Sequence, residues 1–394
     1  MSLWWTRRED LDGQQVALIE DLALHEDFLI LGPPGSGKTN VLLRRAQFVR
    51  MQDMPSVLVL TFTRPLVEFV RTGCVDDQNR EIFPRSCVLT LESWIRDLYE
   101  QHDEELPQEP AGQDAFKRRK EALAQGALKF KAQGRLPKYD ALFVDEVQDL
   151  YEPELKLLRQ WSDVLFLAGD ARQQIFDGPT GMAEAHRIVP AGNRKTLSFH
   201  YRLAPEICKM ADKLLNATGA DSLKSTSHYK GPKPGRIDVN GPMNRDAQLA
   251  QCAEKLKAQI RVYGDLIRQG DRLGVIVSRK DDREAVWQYL ERDPELAGKS
   301  KIIRANDGTA DDREYDPAFD PDHPISILTL KGCKGIEFRA MHWLFCERDS
   351  HHHTLELYYT MITRAKTSID ITYDGQLPQA IARSHSSSGK TLWQ

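Results

Sequence analysis

The sequence predicts an α/β protein built on two parallel sheets with helices on both faces. Three observations carry this. Short apolar runs of strand length alternate with segments whose apolar residues recur at helical spacing, and they do so along nearly all of the 394 residues. The length exceeds what one hydrophobic core ordinarily serves, so two or three domains are expected. Finally, 41% hydrophobic and 28% charged residues is the composition of a globular chain rather than a disordered or membrane-embedded one.

In order, strand-like runs fall at residues 28–31 (FLIL), 57–61 (VLVLT), 88–90 (VLT), 141–144 (ALFV) and 164–168 (VLFLA), with helix-like segments between them. They define a first domain over residues 1–195. A second set follows: RIDVN, the long helical AQLAQCAEKLKAQIRVYGDLIRQ, RLGVIVS, SILTL, MHWLFC and SIDITY. They define a second domain over residues 196–383. Two regions fall outside the alternation. Residues 96–138 hold a Pro-interrupted acidic piece and then a basic helix, and residues 304–324 (RANDGTADDREYDPAFDPDHP) read as a solvated acidic loop, because Asp, Gly and Pro at this density oppose helix and sheet alike. Residues 384–394 read as a frayed polar tail.

The formal charge is 54 − 58 = −4, which argues against a blanket coating of nucleic acid but leaves room for a local basic groove. The six cysteines stand singly without zinc-type CxxC spacing, the amino terminus has no basic-then-apolar signal, and no 18 apolar residues run together. A cytoplasmic, reduced protein with no membrane partner is the expectation.

The stretch LGPPGSGKT (31–39) lies between the first strand-like run and a helical segment. Strand, glycine loop and helix in that order make a phosphate cradle, since backbone N–H groups must point inward and the main chain must approach closely. Gly32, Gly35, Ser36 and Gly37 shape the loop, Lys38 neutralises β and γ phosphates, Thr39 is placed for magnesium, and Asn40 opens the helix. A second GKT, Gly389 to Thr391, follows SSS with no strand and no earlier glycine at the required spacing, and reads as a decoy. ATP and Mg2+ are therefore the expected ligands.

Hydrolysis further requires an acid that holds metal and a group that orients water. YDALFVDEVQDL (139–150) delivers Asp145 and Glu146 at the end of a strand, where ligands collect in parallel sheets. Asp145 suits the metal, and Glu146 suits the proton of the attacking water.

DEVQD resembles motif II of the UvrD/Rep-type superfamily 1 helicases, and further motifs follow in the family's order. LDGQQVALI resembles the glutamine motif, implying that Gln15 reads adenine. VLVLTFTRPLVEFVR resembles motif Ia, implying strand contacts from Phe62, Thr63 and Arg64. VLFLAGDARQQIFD resembles motif III, with Gln173 as γ-phosphate sensor. LSFHYRLAPEI and LYYTMITRAKTSIDI resemble motifs IV and VI, implying arginine fingers at Arg202 and Arg364, and ISILTLKGCKGIEF resembles motif V, with Gly335 and Glu337 near the nucleotide. The resemblance implies two RecA-like domains with the nucleotide in the cleft between them. It further implies a motor that moves 3′ to 5′ on single-stranded DNA.

The chain departs from the family on the nucleic-acid side. Gly178 stands where motif III usually carries a stacking tryptophan, TLE (90–92) replaces TFH, and Lys331 replaces a motif V histidine. Thr90, Trp94 and Lys331, with Phe62, Thr63 and Arg64, are the remaining candidates for strand contacts. Both accessory insertions are short, so a second reading stands beside the motor: an ATPase subunit of a DNA repair or phage-defence assembly whose protein partner supplies nuclease or unwinding activity. The basic run Lys117, Arg118, Arg119, Lys120, Lys129 and Lys131 reads as a solvated helix face ahead of a DNA contact. His351 to His353 read as a polar loop ahead of a metal site.

Overall fold

The computed structural model describes residues 5–304 and 322–385, apart from residues 77, 79, 109, 111, 113, 131–137, 175–177, 179 and 349–353. The expected acidic loop at 304–324 lies almost wholly outside the described residues, as do Lys131, His351 to His353 and the second GKT. The chain divides into two compact units. One holds Trp5–Pro33 and Gly37–Ser198; the other holds the described residues from Phe199 onward and takes in Pro34–Ser36.

The first unit runs α1 (Gly13–Glu20), β1 (Phe28–Leu31), α2 (Lys38–Arg50), β2 (Val57–Thr61), α3 (Arg64–Arg71), β3 (Val88–Thr90), α4 (Leu91–Gln101), α5 (Ala115–Ala127), β4 (Tyr139–Val144), α6 (Glu152–Trp161), β5 (Ser162–Gly169), α7 (Gly181–Ile188) and β6 (Arg194–Thr196). Its sheet is all parallel in the order β3-β2-β4-β5-β1-β6. Strands covered on both faces read as unbroken apolar runs, and every residue of β2 is buried. Local chemistry sets the helix starts. Thr63 accepts from Leu66 N at 3.3 Å with Pro65 in the first turn of α3, and Thr90 accepts from Ser93 N at 3.0 Å to open α4.

The second unit runs α8 (Pro205–Leu215), β7 (Arg236–Asn240), α9 (Arg245–Arg268), β8 (Leu273–Val277), α10 (Lys280–Glu291), β9 (Ser300–Ile302), β10 (Ile325–Thr329), β11 (Phe338–Leu344), α11 (Leu355–Ile362), β12 (Ala365–Thr372) and α12 (Gln379–His385). Its sheet is also all parallel, in the order β7-β12-β11-β8-β10-β9. The protein is thus α/β with two six-stranded parallel sheets, consistent with two RecA-like domains.

Two strands escaped the sequence analysis, and two expectations are corrected. The edge strands β6 and β9 have only three residues each, include Arg194, Lys195 and Lys301, and carry no apolar run to betray them. α12 reaches His385, so the first two residues of the expected tail are helical. The basic helix, read from its sequence as a solvated face, also packs into the core as α5: Leu123, Ala124 and Ala127 are buried with Trp94 and Leu98 of α4 and with Leu155, Leu158 and Trp161 of α6, on one face of the first sheet.

Candidate nucleotide site

Parallel strands bring their carboxyl ends to one edge, and in the first unit that edge collects the chemistry. Gly32 follows β1, Phe62 follows β2, Asp145 follows β4 and Asp170 follows β5. Gly35 and Gly37 both take left-handed φ, +75° and +87°, which side chains rarely adopt. At Gly37 space is short as well, because a Cβ would meet Gln15 Nε2 at 2.8 Å. Gln15 is aimed there by a capping box. Asp12 Oδ1 accepts from Gln15 N at 2.8 Å, and Gln15 Oε1 accepts from Asp12 N at 3.2 Å. Arg45 on α2 anchors the end of α1, donating to Ile19 O at 2.8 Å, Leu22 O at 2.7 Å and Ala23 O at 3.0 Å.

Lys38 is buried with its Nζ donating to Gly32 O at 2.8 Å and Pro33 O at 3.1 Å, inside the curve of the loop. Thr39 Oγ1 donates to Asp145 Oδ2 at 2.6 Å, joining the loop to the end of β4. Asp145 Oδ1 accepts from Glu146 N at 3.0 Å. Asn40 is buried, and its Oδ1 has no hydrogen-bond partner among the described residues.

Burial, and then the neighbouring Glu146, push the Asp145 carboxyl up to about 6, against the pull of Thr39 and Lys38. The pull of Lys38 does not offset the burial of this carboxyl, and a hydroxyl oxygen sits against it. A divalent cation fits that pair, with Thr39 and Asp145 as its protein ligands.

Glu146 adopts a left-handed conformation, φ +56° and ψ +41°, costly for a residue with a side chain and typical of functional turns. Its Oε2 accepts from Gln148 Nε2. Gln148 Oε1 in turn accepts from Asp170 N at 3.1 Å, and Asp170 Oδ2 accepts from Gln173 Nε2 at 3.2 Å. A buried polar chain therefore runs from Glu146 to Gln173. Sequence reasoning assigned Glu146 and Gln173 but gave Gln148 and Asp170 no role, although both stand inside the quoted motifs.

The expected strand-contacting residues fare differently. Trp94 is 2% exposed and belongs to the core, which removes it as a stacking platform. Thr90 is buried as the cap of α4, not presented to a ligand. Phe62 is half-buried, with Lys120 Nζ 4.5 Å from its ring centroid. That ammonium also corrects the solvated-face reading of the basic run. Lys120 is buried, pairs with Glu154 at 3.2 Å and donates to Asp149 O at 3.3 Å. Thr63 and Arg64 are half-buried at the start of α3, and Lys331 is exposed in the turn after β10.

In the second unit, cations gather where β11 and β12 begin. Arg202 Nη1 is ion-paired with Glu337 Oε2. Burial pushes the Glu337 carboxyl up, but Arg202, Lys366 and Arg364 outweigh it and hold the group below its ordinary range. Arg364 is buried, its Nε donating to Thr360 O at 3.0 Å, and Gly335 makes the turn before β11 at φ +79°. Behind them Asp271 Oδ1 accepts from Lys366 Nζ at 2.6 Å and its Oδ2 accepts from Arg339 Nε at 2.6 Å. This buried triad was not foreseen, because its members are far apart in sequence and share no motif.

A glycine loop, its lysine, a threonine and two strand-end carboxylates at one edge of a parallel sheet define a P-loop nucleotide-binding protein. Residues 14–179 match the sequence profile described as an AAA domain. No curated protein matches the chain. Among solved structures, the PRRSV helicase is similar at 14% identity over 91% of this chain and 54% of that one, with a TM-score of 0.43. The C-terminal domain of a possible DNA helicase from Lactobacillus plantarum WCFS1 is similar at 17% identity over 47% of this chain and 93% of that one, with a TM-score of 0.33. Both are loose resemblances. No helix among the described residues is long and apolar enough to cross a membrane.

Proposed function

We propose that the chain is an ATPase of the superfamily 1 helicase type that uses hydrolysis to move on single-stranded DNA, 3′ to 5′. The observation that carries the hydrolytic part is the joined set Lys38, Thr39, Asp145 and Glu146 at one sheet edge, with Thr39 and Asp145 in contact at 2.6 Å. Lys38 holds the β and γ phosphates, Gln15 lies beside the loop to read the base, and Glu146 takes the proton of the attacking water. Magnesium, held by Thr39 and Asp145, supplies charge neutralisation of the phosphate oxygens. Gln173 meets the γ-phosphate, and Arg202 and Arg364 are assigned to the charge that develops in the transition state, with Gly335 and Glu337 as their neighbours near the nucleotide.

The motor part leans on the order of the sequence motifs, with Phe62, Thr63, Arg64 and Lys331 as the remaining strand contacts. A second reading is favoured by a specific observation. With Trp94 in the core and Lys120 over Phe62, fewer side chains are left to stack on bases. In that reading the chain is a nucleotide-gated ATPase subunit whose partner supplies nuclease or unwinding activity.

The test is steady-state ATP hydrolysis without nucleic acid and with single-stranded DNA, duplex DNA or RNA, using Lys38→Ala and Glu146→Gln as controls. Stimulation of at least tenfold by single-stranded DNA, abolished in both controls, is the expected result. A rate that depends on Lys38 and Glu146 yet ignores every nucleic acid refutes the self-sufficient motor and leaves the partner-dependent ATPase.

A further inference from the structure

We infer that Gln148 is a positioning residue for hydrolysis, a buried amide that fixes the Glu146 carboxylate at one end and the Asp170–Gln173 turn at the other. The inference rests on the hydrolytic reading above and extends it to a residue that does not touch the nucleotide.

Gln148 is 0% exposed. Its orientation follows from elementary chemistry: a backbone N–H can only donate, so the side chain meeting Asp170 N at 3.1 Å must present Oε1. The Nε2 end then faces Glu146 Oε2, a carboxylate oxygen that can accept. Both ends are matched, and the amide cannot flip without opposing two donors and two acceptors.

The surroundings leave it no second position. A Cβ on Gly169 would lie 2.7 Å from Gln148 Oε1 and 2.8 Å from Val147 Cγ1, and one on Gly181 would lie 1.9 Å from Val147 O. Two glycines thus let β5 and the start of α7 close onto the Glu146–Asp149 turn. Glu146 itself sits at φ +56°, a conformation that relaxes unless the neighbourhood holds it. The hydrogen bond from Gln148 is such a restraint.

The chemical consequence is geometric. As the water oxygen bonds to the γ-phosphorus, the bond to the β,γ-bridging oxygen breaks with its electron pair leaving on ADP, and the water proton passes to Glu146. A carboxylate free to rotate meets that proton in fewer of its orientations, so loss of Gln148 falls on turnover rather than on binding. Because the same amide holds Asp170 N, and Asp170 holds Gln173, a shift of Gln173 is carried to the base through three hydrogen bonds.

The experiment is a double-mutant cycle on the full chain with Q148E, E146Q and the exchanged pair E146Q/Q148E, reading Tm, kcat, KM and the Kd of a fluorescent ATP analogue. Q148E sets two carboxylates against each other. It is expected to lower Tm and to cut kcat at least tenfold, while KM and Kd stay within threefold. In E146Q/Q148E the carboxylate at 148 accepts from both Asp170 N and the amide at 146, so Tm returns to near wild type while hydrolysis stays lost. The inference is overturned if Q148E turns over at the wild-type rate, or if the Tm losses of the single variants simply add in the pair. A wild-type chain that hydrolyses no nucleotide overturns the parent reading together with this role. That outcome is distinct from failure of Gln148 alone, in which wild type and Q148E turn over equally.

Discussion

Replacing Asp145 by asparagine should make the protein more stable when magnesium is absent. The folded chain holds this carboxyl at about 6 against an ordinary 3.8, and the first cause is burial. Two pKa units at 1.36 kcal/mol each come to about 3 kcal/mol of destabilisation at neutral pH. The sign follows from proton binding. Between roughly pH 4 and 6 the native state holds the proton more tightly than the unfolded chain, so stability falls as pH rises through that window and is level above it. Asparagine removes the charge and keeps both contacts, with Oδ1 accepting from Glu146 N and Nδ2 donating to Thr39 Oγ1. Allowing about 1 kcal/mol for weaker neutral hydrogen bonds leaves a gain of about 2 kcal/mol. For a unit of this size that is a Tm rise of about 4–8 °C. The assay is thermal unfolding in EDTA at pH 7.5 and at steps down to pH 4.5. The advantage of D145N should shrink as pH falls below 6. Magnesium with nucleotide should raise the wild-type Tm and barely move that of D145N. A variant that melts at or below wild type at pH 7.5 in EDTA, or an advantage that persists unchanged at pH 4.5, refutes the reasoning.

Three further outcomes are expected. Gly169→Ala places a Cβ against Gln148 and Val147 and should cost about 1–3 kcal/mol, read as a lower urea midpoint, with a loss of kcat beside it. Lys120→Met strands Glu154, which is buried and whose carboxyl burial already pushes up, so unfolding should become easier by about 3–5 kcal/mol; K120M/E154Q should recover most of that loss. His342 is pushed down to about 3, first by burial and then by Lys255. The unfolded chain therefore takes up a proton that the native state refuses, and stability should fall as pH drops from about 6.5 towards 3. His342→Gln should flatten that slope in acid denaturation monitored by circular dichroism.

The sheets were legible where parallel strands buried on both faces read as largely apolar runs, as in VLVLT and FLIL. β6 (RKT) and β9 (SKI) were not, since these short edge strands carry charged residues in place of such a run. The phosphate loop and DEVQD were legible because a cradle for phosphate constrains residue type at fixed spacing. Trp94 misled for the converse reason: a tryptophan following a strand satisfies both a stacking role and a core role, and only the packing of α4 against α5 decides between them. Gln148 was visible as a letter but not as a bridge, because its second partner, Asp170 N, comes from a different strand end.

α5 carries a consequence for how this chain relates to larger or smaller versions of itself. With Leu123, Ala124 and Ala127 buried over the first sheet and Lys120 fastened to Asp149 O and Glu154, the helix serves as a roof with its footing in the Glu146–Asp149 turn and in α6. Cutting it away would uncover the sheet, and lengthening the segment would have to keep these four side chains as foundations. Size at this point of the chain is free to vary only outward from that helix.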